Sequence, residues 1–363
     1  MSKTDPLGAT TSYEYDSEGR LVKETDPLGN SKTSSYDKAG RLISETDANG
    51  HTTTYAYDAD GEKTSVTAPG GAATTYAYDA DGNVLKRTDA NGHATSYAYD
   101  AAGRKTAKTD PLGRTWKYSY DGNGNLVETD VPSGGAITES YDAQNRLAKK
   151  SYSDGSPTVS YTYDKAGNKT QMVDGTGTTR YAYNAANERT GTLRADGSFL
   201  YSYDLAGNLT SRTYPNGLKT SYTYNQASEL TTAKVGDGKT YYTHDPNGKL
   251  VSTLNANGIL ENRTYDAAGH LTDISGQDPK GRPLYSRSYT YDPVGNPLTL
   301  VATAPRDHSP GWWGMLWRHR GAELTKWTET YTYDSQDRLA KACMTDSCSR
   351  YLAYSYDQVG NRV

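Results

Sequence analysis

The chain has 363 residues, with 39 Lys and Arg against 43 Asp and Glu; the net charge of −4 and the lack of a basic stripe argue against duplex nucleic acid as a partner. Counting glycine and setting tyrosine aside, about 35% of residues are apolar, where ordinary globular chains have roughly 45–50%. Phenylalanine occurs once, so a thick conventional core is excluded, and the 33 tyrosines and small net charge exclude a disordered polar chain.

At the N-terminus, Met1-Ser2-Lys3-Thr4-Asp5-Pro6 lacks the apolar stretch of a secretory signal. No later run approaches the about 20 apolar residues of a membrane-spanning helix. From Tyr13 onward the phrase Tyr-x-Tyr-Asp-x-x-Gly recurs to the end of the chain. Its turn-opening position falls at 16, 37, 58, 79, 100, 121, 142, 164, 184, 204, 225, 245, 266, 292, 334 and 357. The first six steps are 21 residues each, the next six are 20 to 22, and the last three are 26, 42 and 23. In that frame 28 of the 33 tyrosines are in register, so the repeat accounts for the composition.

Each repeat predicts a β-hairpin. In Thr74-Thr75-Tyr76-Ala77-Tyr78 large and small residues alternate, the period of a half-buried strand. Tyrosine and threonine suit a pleated surface. The pairs Tyr13 and Tyr15, Tyr55 and Tyr57, Tyr76 and Tyr78, and Tyr97 and Tyr99 therefore share one face, where a cross-strand tyrosine ladder is expected. The turn follows, with the carboxylates of Asp16, Asp58, Asp79, Asp100 and Asp121 placed to accept from backbone amides two or three residues on. Gly19, Gly61, Gly82, Gly103 and Gly124 stand at the fourth turn position, which is glycine in twelve copies and otherwise Asn145, Asn187, Ser228 and Asp337. These residues imply a left-handed backbone there, with Ser228 the weakest fit. A returning strand such as Arg41–Thr46 then ends in a second turn of the type Asp26-Pro27-Leu28-Gly29 or Asp47-Ala48-Asn49-Gly50. The expectation is an all-β meander of about 32 short antiparallel strands, with helix signals almost absent.

Asp121-Gly122-Asn123-Gly124-Asn125 has the look of a calcium loop. Leu126 stands where that loop needs glycine, and the repeat already explains the motif as a turn. His51 and His93 occupy the same second-turn position in two repeats, which is repetition rather than an active site. Carboxylates recur as turn caps, so no catalytic pair is singled out. Residues 301–328 are the main departure from the frame. Trp312, Trp313 and Trp317 lie where a signature is missing, either as a degenerate repeat whose indoles replace tyrosines or as an aromatic contact patch for sugar or membrane. Cys343 and Cys348 flank an expected second turn and are either a disulfide or two free thiols. Zinc is not expected at the cysteines, because no further ligands complete a site there. No metal, cofactor or catalytic constellation is predicted.

Copies such as Tyr97-Ala98-Tyr99-Asp100-Ala101-Ala102-Gly103-Arg104 and Tyr201-Ser202-Tyr203-Asp204-Leu205-Ala206-Gly207-Asn208-Leu209 resemble the YD repeats of the Rhs (rearrangement hot spot) family. That family includes bacterial polymorphic toxins, the C components of insecticidal toxin complexes, wall-associated proteins and teneurins. The resemblance covers residues 1–363 as a single repeat array. It implies a β-ribbon spiralling into a full or partial hollow shell which, in the toxins, encloses a C-terminal effector. Residues 301–328 then have a third reading, as a plug folding into the shell.

Thirty-two strands at about 4.8 Å spacing give a ribbon roughly 150 Å long and about 20 Å wide, too small to enclose a folded effector alone. The chain starts within a second-turn phrase and stops just after a first turn, so a larger shell is expected, with no core-associated or toxin segment here. The expected role is structural and non-enzymatic, in a secreted or surface-exposed bacterial protein exported by a dedicated system. The expected partner is the toxin or the remaining shell of the same polypeptide. The alternative is a cell-surface or wall-associated carbohydrate-binding module. An isolated ribbon with open edges is expected to self-associate.

Overall fold

The computed structural model describes residues 1–305, 324–344 and 348–363, and among them all regular structure is β. Thirty-two strands, from Ser2–Thr4 to Tyr351–Ala353, form one sheet. The pairing is that of a meander: Thr10–Tyr15 pairs antiparallel with Leu21–Thr25, which pairs antiparallel with Ser31–Tyr36. The chain divides into two compact units, residues 1–75 with 240–363, and residues 76–239.

The alternation in sequence becomes an alternation of faces. Along Thr52–Tyr57, Thr53, Tyr55 and Tyr57 are half-buried, while Thr52, Thr54 and Ala56 are exposed. Burial is shallow throughout. Among the described residues the buried apolar side chains are Ala302, Ala304, Ala342 and Cys343, and no large side chain is fully buried. Stability therefore has to come from polar and cation–ring contacts repeated along the ribbon, which is the sum over neighbours expected of a repeat protein.

Turns of both kinds share one geometry in most repeats, the tight second turns at Asp174–Gly177 and Arg194–Gly197 being exceptions. At the first turn of the Asp16 repeat, the Asp16 amide donates to the Arg20 carbonyl and the Gly19 amide donates to the Asp16 carbonyl. Asp16 Oδ1 accepts from the Glu18 and Arg20 amides at 3.0 and 2.9 Å. At the second turn, Asp5 Oδ1 accepts from the Leu7 and Ala9 amides at 2.9 and 2.8 Å. This is a hairpin loop closed by a left-handed residue, and Gly19 has φ +80°. Asn184 and Asn225, which open two of the turns, use their side-chain oxygens in the same way.

The two ends of the hairpins nevertheless differ. Next to each first turn the register slips: Glu14 pairs with Lys23 but Tyr15 pairs with Leu21, so Val22 is an extra residue. The second-turn side of this repeat is regular, with Lys23, Glu24 and Thr25 facing Thr33, Lys32 and Ser31. A bulge locally disrupts the ladder and bends its strand; the slip recurs beside the first turns, and on the second-turn side it is found between Gly276 and Gln277. Period-2 reading of the sequence gives no sign of it.

The two flanks of the departure at 301–328 lie in paired strands. Pro297–Pro305 and Leu324–Tyr333 form a long regular hairpin, from Thr299 opposite Thr330 to Pro305 opposite Leu324. Trp312, Trp313 and Trp317 lie outside the described residues. Cys343 and Cys348 are joined in a disulfide, with Cα atoms 4.9 Å apart.

Candidate functional site

The tyrosine next to each turn has a specific task. Tyr36 Oη donates to the Leu21 carbonyl at 2.9 Å, Tyr57 to Leu42 at 2.8 Å and Tyr99 to Val84 at 3.0 Å. The same bond recurs at Tyr120, Tyr141, Tyr163 and further copies. Each accepting carbonyl belongs to the residue at the preceding repeat's bulge, so the phenol supplies a donor where the ladder is offset. One repeat is thereby latched to the next.

The residue after the turn completes the latch. Arg20 Nε holds Asp16 Oδ2 at 2.6 Å, and its Nη1 donates to the Asp37 carbonyl of the next turn at 3.2 Å. Its guanidinium also lies over the Tyr36 ring, 5.0 Å from the centroid. Arg41 over Tyr57, Arg104 over Tyr120 and Arg146 over Tyr163 repeat the arrangement at 4.9, 4.9 and 4.6 Å. The first tyrosine of a copy is covered by its own hairpin: Lys63 lies over Tyr55 and Lys105 over Tyr97, at 4.8 and 4.5 Å.

Cations thus cover rings that the tyrosine ladder would pair with one another. Tyr13, Tyr15, Tyr55, Tyr57, Tyr76, Tyr78, Tyr97 and Tyr99 lie on outgoing strands, and over the rings of Tyr55, Tyr57 and Tyr97 the structure places a cation. Ring pairs do occur elsewhere, as at Phe199–Tyr214, His270–Tyr291 and Tyr289–Tyr291. The cation cover follows from spacing. Equivalent tyrosines are two strands apart, about 9.6 Å, beyond the about 4.5–7 Å of an aromatic pair, and the returning strand fills the gap with cations.

The non-glycine residues at the left-handed turn position have a shared explanation. Asn145 and Asn187 accept from Asn125 and Asn168 Nδ2 of the preceding copy, at 2.9 and 2.7 Å. Ser228 accepts from Asn208 Nδ2 at 3.1 Å, and Asp337 from Asn296 Nδ2 at 3.3 Å. Their φ angles are 58°, 63°, 62° and 57°. A preceding asparagine thus offers the left-handed side chain an amide. Asp121 is a turn cap of the common kind, accepting from the Asn123 and Asn125 amides.

The turn edges also join distant parts of the chain within the unit formed by 1–75 and 240–363. Asn247 Nδ2 donates to Asp5 Oδ2 at 2.6 Å. Asn49 Nδ2 bridges Asp292 Oδ2 and Asp337 Oδ1 at 3.0 and 3.1 Å, and Gln336 Nε2 donates to the Pro69 carbonyl at 3.2 Å. In every case a second turn of the early segment meets a first turn of the late one. Although burial alone would raise the Asp292 carboxyl, the Asn296 and Asn49 amides hold it below its usual range. A cleft of about 420 Å³ opens beside this contact, lined by Lys32, Glu45, Asp47, His51, Gln336 and Asp337 among others.

Two polar clusters sit on the ribbon face. Tyr285 Oη donates to Glu261, which also pairs with Arg263. Burial and the Glu261 hydrogen bond push the Tyr285 phenol up to about 12. Trp327 Nε1 and Tyr331 Oη both donate to Glu329, at 3.1 and 2.7 Å.

Residues 3–149 match the sequence family described as the teneurin YD-shell, and residues 141–179 and 203–240 match the RHS repeat. No curated protein matches the chain by sequence. Among solved structures, the fold is similar to that of TcdB2-TccC3-Cdc42, with TM-score 0.66 and 15% identity over 96% of this chain and 24% of that one. TcdB2-TccC3 without its hypervariable C-terminal region gives TM-score 0.61 and 16% identity over 98% and 22%. The Photorhabdus luminescens Tc holotoxin pore gives TM-score 0.61 and 15% identity over the same shares. The chain spans about a quarter of the length of these structures.

Proposed function

The chain belongs to the Rhs (YD-repeat) family, and from that premise we propose that it is a stretch of wall in the hollow shell of a bacterial Rhs-type protein. Its role is non-catalytic: to contain or present a toxin effector carried on the same polypeptide, in a protein that is secreted or displayed at the cell surface. The observation that carries this reading is the edge contact between turns 242 to 288 residues apart, through Asn247 and Asp5 and through Asn49 and Asp337. A ribbon whose edges recognise each other side by side can extend a wall without a conventional core. The first and last strands each pair on one side, so the isolated chain should also self-associate through open ladders.

The test is the native polypeptide. An antibody to this region should detect a product far above 39.5 kDa in source cells, with an effector segment that resists protease until the repeat region is cut. A single product near 39.5 kDa, or an effector digested as fast as an unfolded control, contradicts the proposal.

A further inference from the structure

His51 differs from the other turn histidines. Its Nδ1 atom is buried and has no hydrogen-bond partner. It points at two carboxylates on different parts of the chain, 3.5 Å from Asp47 Oδ2 and 3.4 Å from Asp337 Oδ1. Both separations are longer than good hydrogen bonds. The turn itself does not impose this. His270, in the equivalent place of a first turn, closes to 3.0 Å on Asp266 and lies against Tyr291. His93 sits 3.5 Å from Asp89 Oδ2 with its side chain mostly exposed and, among the described residues, no second carboxylate paired with it.

We propose that Asp47, His51 and Asp337 bind one divalent cation of the zinc class, which clips the second turn at Asp47–Gly50 to the first turn at Asp334–Asp337. The three ligand atoms lie within 4.8 Å of one another. A tetrahedral ion with nitrogen and oxygen ligands at about 2.0–2.1 Å holds neighbouring ligand atoms about 3.3–3.4 Å apart. The two histidine–carboxylate separations of 3.5 and 3.4 Å are close to that edge length. An imidazole nitrogen with two carboxylate oxygens is also a donor set suited to zinc, and the adjoining cleft has room for the water that completes it.

The surrounding charge favours a cation. Asp47, Asp292 and Asp337 converge here, linked by the Asn49 amide. The nearby basic groups are engaged, Lys32 with Glu45 at 2.7 Å and Arg338 with Asp334 at 2.7 Å. Asn49 and Asn296 also donate to Asp337 Oδ1 and fix its orientation, as outer partners of a metal ligand do. Asp337 is moreover the one carboxylate at the turn position that holds glycine in twelve other copies.

Calorimetric titration of the chelator-treated, tag-free full chain with zinc alone, under non-reducing conditions, tests this. One equivalent should bind. His51→Gln and Asp337→Asn should each weaken binding at least tenfold, while His93→Gln leaves it unchanged. Asp337→Asn keeps an acceptor for both amides and a residue that tolerates the left-handed backbone, so its circular dichroism should match the parent. Cobalt(II) gives a second reading on the unmodified chain, with visible bands of a four-coordinate ion that one equivalent of zinc displaces. Absence of both heat and bands, or zinc affinity lost in His93→Gln but retained in His51→Gln and Asp337→Asn, overturns the proposal.

Discussion

At the residue scale, the tyrosine before most first turns is a hydrogen-bond donor to the neighbouring repeat as well as an apolar filler. Tyr99→Phe keeps the ring and removes the bond to the Val84 carbonyl. It should destabilise the chain by about 0.5–1.5 kcal/mol in urea unfolding. Tyr97→Phe, which retains the surface under Lys105, should cost less. Equal losses would mean that the hydroxyl of Tyr99 is not a latch. The titrating side chains set a pH window. The Arg104 amide and guanidinium hold the Asp100 carboxyl below its ordinary value of 3.8, and Asp142 and Asp164 are lowered through Arg146 and Asn168. A depressed carboxyl contributes stability that is present above its unfolded pKa and lost as pH falls through the folded one. Tyr285 is the opposite case, raised from 10.0 to about 12, so its contribution is present below 10 and lost as pH rises toward 12. Stability should therefore be flat between about pH 5 and 9 and fall on both sides, as melting curves across that range will show.

At the scale of the element, the hairpin is the unit and its turn chemistry was legible. Alternation around Tyr76 and Tyr78 specified strands, and the recurring glycine specified a left-handed residue that the structure places at Gly82 with φ +81°. The bulge was not legible, because one extra residue such as Val22 leaves the surrounding alternation looking continuous. Nor was the role of the residue after the turn, since an arginine there reads as ordinary surface charge until it is seen to span two turns. The pairing of asparagine with non-glycine turns yields a further expectation. Asn83 Oδ1 lies 3.7 Å from where a Cβ on Gly103 would sit, and Gly103 has φ +72°. Gly103→Asn should therefore lower the melting temperature less than Gly103→Ala, because only asparagine both tolerates this backbone and can bond to the preceding Asn83 amide. If alanine is the milder change, the pairing has no energetic content.

At the scale of the whole molecule, the repeat hides what distinguishes one copy from another. Asn49 reads in the sequence as one more Asn-Gly turn and Asp337 as a tolerated replacement for glycine, and contacts across more than 240 residues leave no mark in a local pattern. His51 reads in the sequence like His93 for the same reason, although their surroundings differ. The ribbon meets itself edge to edge, with early second turns on late first turns, which is what makes a wall from a strip. The most direct test places thiols at Pro69→Cys and Gln336→Cys, whose parent residues touch at 3.2 Å. A short bismaleimide is added at low protein concentration, with the Cys343–Cys348 disulfide left intact. Peptide mapping should find an intramolecular link between positions 69 and 336 in most molecules. Unlinked thiols, or links only between separate chains, would contradict the edge-to-edge arrangement.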